Sequence, residues 1–442
     1  MKPAARIQAT IDVLTRIAEN DRVPMDSAIG DYMRQRRYIG SKDRANIAER
    51  CYNMARAHAR LGWWLDKFDA EDTPRNRILF WLLLAEVTGE PGRIEKYITD
   101  LYDGTKYSPT ALEPQELHYI KLVREGKMIG GGIDHADMPD AVRAEVPEKY
   151  EDKLRNYFGK DFEVEMAAML KTATLDLRVN TFLIDADKAQ ASLKKDGVET
   201  KDGAYASTAL RCVEKSYISR TKAFTKGWIE IQDEGSQLIA LMCGAEPGMQ
   251  VLDYCAGAGG KTLALGAAMQ CKGRIVAMDN DSKRLAKGRD RYKKARIADI
   301  IEVRSLEDEK NRKWVKRQKG KFDIVLTDVP CTGTGTWRRN PDMRWRQFGP
   351  TLEELLPIQA DIIERASALV KPGGKFVYAT CSLLAEENEH QIETFLKNRG
   401  DEFEVIPVPE AYGNPYLRMT PHRHQTDGFF AAVLKRKDAA EG

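Results

Sequence analysis

The sequence predicts an α/β fold: a doubly wound, mostly parallel sheet, preceded by a small α+β module and an all-helical N-terminal region. Three observations carry this. From Ile231 onward, apolar runs of strand length alternate with helical segments. The glycine-rich and cysteine-bearing motifs fall directly after such runs, where open α/β sheets bind their ligands. Before about residue 125, apolar residues recur at helical spacing.

The elements follow in order. Ile7, Ile11, Leu14 and Ile17 share one helical face, and Ala45 to Leu65 is rich in Ala, Arg and aromatics without a proline. Thr73-Pro74 reads as a helix start ahead of the apolar segment Ile78 to Val87. Residues 1–125 are therefore assigned to a helical domain. Gly126-Lys-Met-Ile-Gly-Gly-Gly132, followed by Pro139 and Pro147, marks a linker over 126–147. A helix at Phe162 to Thr172 and the alternating Leu175 to Asn180 give a small α+β module over 148–230. In 231–437 the expected strands are 251–255, 274–279, 300–303, 322–328 and 375–380. The expected helices there are 260–270, 282–295, 352–370 and 386–398.

Composition narrows the function. A chain of 442 residues with 70 Lys and Arg against 67 Asp and Glu has a net charge of only +3, yet the charge is uneven. Lys283 to Lys321 holds 16 basic and 6 acidic residues, and Tyr32 to Arg60 holds 8 and 2. Clusters of this kind suit a polyanion, because they release counterions from phosphates, although a solvated helix face is the plain alternative. No run reaches the ~18 apolar residues of a membrane helix. Gln8 and Asp12 interrupt any signal-peptide core. Seven scattered cysteines with no CxxC pair argue against a disulfide framework and a structural zinc site. The expectation is a cytoplasmic monomer with reduced thiols, no metal and no membrane partner.

Three motifs carry chemistry. Asp253-Tyr-Cys-Ala-Gly-Ala-Gly-Gly-Lys-Thr262 is a strand-to-helix glycine turn that matches neither the P-loop nor the dinucleotide fingerprint. Twenty residues after Gly259, the next strand ends in Asp279, well spaced to accept a ribose diol. That layout suits a nucleoside cofactor without a pyrophosphate. Thr327-Asp-Val-Pro-Cys331 follows the fourth strand, and Arg338 to Arg346 beyond it offers cations and tryptophans for phosphate contact and base stacking. Tyr378-Ala-Thr-Cys381-Ser follows the fifth, with Glu386-Glu-Asn-Glu389 next. Two cysteines at the ends of neighbouring strands would converge on one cleft, which favours nucleophilic chemistry over core filling.

These blocks, with Gln232-Asp-Glu-Gly-Ser-Gln237, Val370-Lys-Pro-Gly-Gly374 and the terminal Asp427-Gly-Phe-Phe430, resemble in identity and order the Sun/NSUN family of S-adenosylmethionine-dependent RNA cytosine-5 methyltransferases. The helical N-terminus resembles the NusB-like RNA-binding domain fused to the small-subunit ribosomal RNA enzyme of that family. The resemblance implies a Rossmann-like methyltransferase sheet with S-adenosyl-L-methionine as cofactor and RNA as partner. It implies that Cys381 adds to the cytosine ring, Cys331 helps release the product, and Asp328 with Lys261 stabilises the base. It assigns the cofactor to Cys255, Ala256, Gly257, Ala258, Gly259, Gly260, Lys261, Asp279, Arg284, Ser305 and Asp328. Two departures stand out: Gly257-Ala258 replaces the family's Ala-Pro, and Ser305 falls where an acid near the adenine is common, with Glu307 and Asp308 close by. Ribosomal RNA of the small subunit is the expected substrate, with transfer RNA as runner-up. The rivals are a DNA cytosine methyltransferase and a non-catalytic assembly factor on the same scaffold.

Overall fold

The computed structural model describes residues 1–438 apart from positions 88, 127 and 130, so Lys127 and Gly130 of the expected linker lie outside the described residues. The chain divides into two compact units: Met1–Leu170 together with Asn340–Gly349, and Lys171–Arg339 together with Pro350 onward.

The first unit is helical. Thr73 caps Pro74–Trp81 by accepting the Asn76 N–H at 3.2 Å, as the Thr-Pro pair predicts. Leu61, Trp64, Leu65, Ile78, Leu79, Phe80 and Leu83 form its core. The glycine-rich stretch read as a linker also enters this core: Ile129, Ile133 and Met138 are buried, and the Trp64 indole donates to the Ile133 carbonyl at 2.7 Å. Asn340–Gly349 belongs to the same unit. Asp342 accepts the first N–H of the helix Met25–Gln35 at 2.8 Å, and Trp345 stacks on His58 at 4.7 Å. Burial there lowers the His58 pKa to about 4.

In the second unit β1 (Asp176–Val179), β2 (Thr200–Asp202), β3 (Ala209–Cys212) and β4 (Ile229–Ile231) form an antiparallel sheet in the order β2-β3-β1-β4. Arg211 of β3 is paired with Asp176 at 2.7 Å and with Glu234 at 3.1 Å. The larger sheet contains β5 (Gln250–Asp253), β6 (Arg274–Asp279), β7 (Ile301–Ser305), β8 (Phe322–Asp328), β9 (Val370–Thr380), β10 (Phe403–Val405), β11 (Leu417–Met419) and β12 (Phe429–Arg436). Its order is β10-β12-β9-β8-β5-β6-β7, with β11 beside β12. Strands β5 to β9 pair in parallel, and β12 runs antiparallel to β9. The expected doubly wound architecture is present.

The helix Glu309–Lys316 and β12 fall outside the elements expected from the sequence. The helix buries Val315 alone, so it lacks an apolar stripe to read. In β12 the first six residues are buried in succession, so the alternation of a half-exposed strand is missing. Chain order reverses between β5 and β8, and parallel pairing brings the carboxyl ends of β6, β5, β8 and β9 to one edge. The site is built there.

Candidate active site

The glycine turn occupies the carboxyl end of β5. Gly257 and Gly259 have φ of +54° and +80°, which L side chains rarely adopt. A Cβ at Gly259 would also fall 2.1 Å from the Tyr292 hydroxyl oxygen. The turn is braced from outside. Arg178 donates to the Gly260 carbonyl at 2.6 Å, and Arg291 to the Ala258 carbonyl at 2.6 Å. Gly257 N–H donates to Asp279 Oδ2 at 2.7 Å. Asp279 Oδ1 accepts the Asp281 N–H at 2.9 Å, and Asp281 in turn caps the helix Ser282–Lys294. Gly257 therefore sits in a fixed turn despite its departure from Ala. Each Asp279 oxygen keeps a further lone pair for a diol. Arg284 lies over the turn: a Cβ at Gly257 would be 2.8 Å from its guanidinium.

Ser305 pairs in register with Asp279, so the two lie side by side at the strand ends. Of its acidic neighbours, Asp308 caps Glu309–Lys316 through the Lys310 N–H at 2.8 Å, whereas Glu307 is exposed. Beneath the turn, Asp253 is buried. Its Oδ2 accepts the Thr262 hydroxyl at 2.7 Å, and Oδ1 has no partner among the described residues. Burial pushes its pKa up to about 7. Asp253 opens the glycine motif, but nothing in the sequence pattern marks it for a role of its own.

At the switch point, Lys261 Nζ meets Asp328 Oδ2 at 2.7 Å, with Lys261 buried and Asp328 about one-third exposed. Burial works against the lysine charge, but the Asp328 carboxylate outweighs it and raises the pKa. Next to this pair, the Cys331 and Cys381 sulfurs are 3.5 Å apart, so the strand ends do bring the two thiols together. Hydrogen bonding to Cys381 and burial push the Cys331 thiol well above its ordinary range, which keeps it protonated. Burial likewise raises the pKa of Cys255, under the turn.

The stretch 338–346 is not the free stacking surface the sequence suggested. Trp337 just before it is buried, Arg338 and Arg339 pair with Asp427 at 2.7 and 2.6 Å, and Arg339 also meets Asp233 at 3.1 Å. Asp342, Trp345 and Arg346 make contacts within the helical unit. The Gln232-Asp-Glu-Gly and Asp427-Gly-Phe-Phe blocks thus hold together through two arginines and two aspartates. Burial and the Asp427 charge raise the Asp233 pKa. A buried arginine needs such partners, and a motif read without its contacts cannot reveal them.

A Rossmann-like sheet with a ribose-type acid, a braced glycine turn and paired thiols defines an S-adenosylmethionine-dependent methyltransferase. The unpartnered Asp253 oxygen and the spare Asp279 lone pairs fit that cofactor. The sequence model of the family described as 16S rRNA methyltransferase RsmB/F matches residues 240–435. The chain is 32% identical over 328 residues to a probable ribosomal RNA small subunit methyltransferase B of Synechocystis, covering 72% of each chain. With ribosomal RNA small subunit methyltransferase B of Klebsiella pneumoniae it shares 27% over 416 residues, 90% of this chain and 92% of that one. A methyltransferase homolog protein from Pyrococcus horikoshii superposes with a TM-score of 0.57 at 28% identity, covering 67% of this chain and 97% of that one. The chain belongs to the RsmB/F family of RNA methyltransferases. No helix among the described residues is long and apolar enough to cross a membrane.

Proposed function

We propose that the protein methylates carbon-5 of one cytosine in small-subunit ribosomal RNA through a covalent cysteine adduct. The observation that carries this is the pair of thiols 3.5 Å apart at the ends of two parallel strands, beside the Lys261–Asp328 pair. Cytosine carbon-5 is a weak nucleophile and needs activation first. Cys381, as thiolate, adds to carbon-6 and moves the ring electrons onto carbon-5. Asp328, oriented by Lys261, accepts a hydrogen bond from the base edge and stabilises the positive charge gained by ring protonation. The bound cofactor supplies an electrophilic methyl group. Loss of the carbon-5 proton to solvent water then re-forms the ring double bond and expels Cys381 as a thiolate, and Cys331, as the neighbouring thiol, assists by donating to the departing sulfur.

In this reading Asp279 holds the ribose hydroxyls, the turn Cys255 to Lys261 faces the methionine and ribose portions, and Arg284 and Ser305 border the same pocket. The target base must be unpaired or flipped. Residues 1–125 and 148–230 hold the RNA, with 148–170 belonging to the helical unit. The names of the Synechocystis and Klebsiella relatives support the small-subunit substrate.

Bisulfite sequencing of total RNA from a deletion strain and its parent tests the substrate. One ribosomal cytosine should lose its methyl. A loss confined to transfer RNA would refute the substrate, and no lost site would refute the reaction. For the chemistry, Cys381→Ala should abolish transfer while retaining cofactor binding. Cys331→Ala should accumulate an RNA–protein adduct that survives denaturant. Normal turnover by Cys381→Ala would sink the nucleophile assignment.

A further inference from the structure

The Glu386-Glu-Asn-Glu389 block lies outside the chemistry described so far, yet two of its side chains are fully buried behind the cysteines. Glu387 and Asn388 each have 0% exposure. Glu387 Oε1 accepts the Thr332 N–H at 2.9 Å, and Oε2 accepts the Thr332 hydroxyl. Gln359, also fully buried, donates to Glu387 Oε1 at 2.9 Å and to the Pro330 carbonyl at 3.0 Å. Both residues flanking Cys331 are therefore tied to one carboxylate, directly or through Gln359.

Asn388 does the same for the other thiol. Its Oδ1 accepts the Thr380 hydroxyl at 2.5 Å, and its Nδ2 donates to the Ser382 carbonyl at 3.0 Å. Thr380 and Ser382 flank Cys381. The two loops are also joined directly, because the Ser382 hydroxyl lies 3.3 Å from that of Thr332 and 3.2 Å from that of Thr334. The Tyr378 hydroxyl donates to the Glu387 carbonyl and anchors the dipeptide to β9.

We propose that Glu387 and Asn388 are paired positioning residues, each aiming one cysteine: Glu387, with Gln359, fixes Cys331, and Asn388 fixes Cys381. Burying a carboxylate is costly unless it is fully hydrogen-bonded. Here the cost is offset by three donors from the loop and its brace. Adjacency on one short turn keeps the two thiols at a fixed separation, since neither loop can shift without straining the same two residues. Glu387 has a second effect. Its charge adds to the influences that keep Cys331 protonated, so the two thiols do not compete as nucleophiles. This inference rests on the division of roles between the thiols proposed above.

The experiment compares full-length Asn388→Ala, Glu387→Ala and Glu387→Gln with Cys381→Ala and Cys331→Ala. Asn388→Ala should lower single-turnover methyl transfer about 100-fold, the cost of an ~1 Å misplacement, with KM for RNA and cofactor affinity within about threefold. Glu387→Ala should instead leave the first transfer within about threefold and accumulate the denaturant-stable adduct, as Cys331→Ala does. Glu387→Gln keeps the acceptor for the Thr332 N–H and removes the charge. It should restore release while moving the pH curve of Cys331 alkylation down by about one pH unit. Identical defects in Asn388→Ala and Glu387→Ala, or wild-type kinetics in both, would overturn the assignment. If Glu387→Ala does not fold, the Glu387→Gln alkylation curve decides, and an unshifted curve refutes the Glu387 role. Should the cysteine variants themselves contradict the proposed chemistry, that reading falls first. The alkylation curve still tests whether the Glu387 charge bears on Cys331.

Discussion

Replacing Asp253 with Asn tests whether burial governs the floor of the site. Asp253 is 1% exposed, its Oδ1 lacks a partner among the described residues, and burial raises its pKa from 3.8 to about 7. An acid whose pKa is higher in the folded protein favours the fold most below its unfolded value. That contribution is lost as pH rises from about 4 to about 7, and then stays constant. At about 1.4 kcal/mol per pH unit, ionised Asp253 costs the fold about 4 kcal/mol above pH 7. Asn keeps an acceptor for Thr262 but places an N–H group where Oδ1 lacks a partner, at about 1–3 kcal/mol. The net gain at pH 8 is then about 1–3 kcal/mol, and at pH 4 the variant should be the weaker protein. Chemical denaturation of the ligand-free protein between pH 4 and pH 8, followed by tryptophan fluorescence, reads this difference. A gap between variant and wild type that does not change with pH would refute the reasoning.

Three other outcomes follow from the geometry. Asp427→Ala leaves Asp233 as the remaining carboxylate for Arg338 and Arg339 and should cost about 1–3 kcal/mol in a denaturation series; a loss below about 1 kcal/mol would mean the arginines re-pair fully. Gly259→Ala combines a φ of +80° with a Cβ 2.1 Å from the Tyr292 hydroxyl oxygen, whereas Gly320→Ala meets a φ of +65° with nothing within 4 Å. The second should cost only about 1–2 kcal/mol. The first should cost several times that and abolish cofactor binding by calorimetry, so equal costs would rule out the clash. Lys283, Lys287, Arg289 and Lys293 are exposed on Ser282–Lys294. Neutralising all four should flatten the salt dependence of RNA binding by a slope of about 3. An unchanged slope in filter binding would mark them as a solvated face.

The sequence alone determined the strands and helices that frame the glycine turn and the two cysteines, because local rules govern those elements. Strand runs at 274–279 and 322–328 coincide with β6 and β8, and glycine chemistry announces the turn after β5. Asp279, Asp328 and the two cysteines were legible because parallel strands deliver whatever follows them to one edge. Glu309–Lys316 and β12 were not, since the helix carries only Trp314 and Val315 as apolar residues and the strand lacks alternation. The Arg338 to Arg346 stretch misled because a cation reads alike whether it faces RNA or a buried carboxylate such as Asp427.

Only the tertiary structure decided which charges are spent on the fold and which remain for chemistry. The arginine–aspartate square joins residues almost 200 positions apart, and Glu387 reaches back 55 residues to Thr332. Such partners are set by packing, and burial then sets what each group costs. The pattern of a chain encodes its elements; a hydrogen bond between distant loops exists only once those elements have docked.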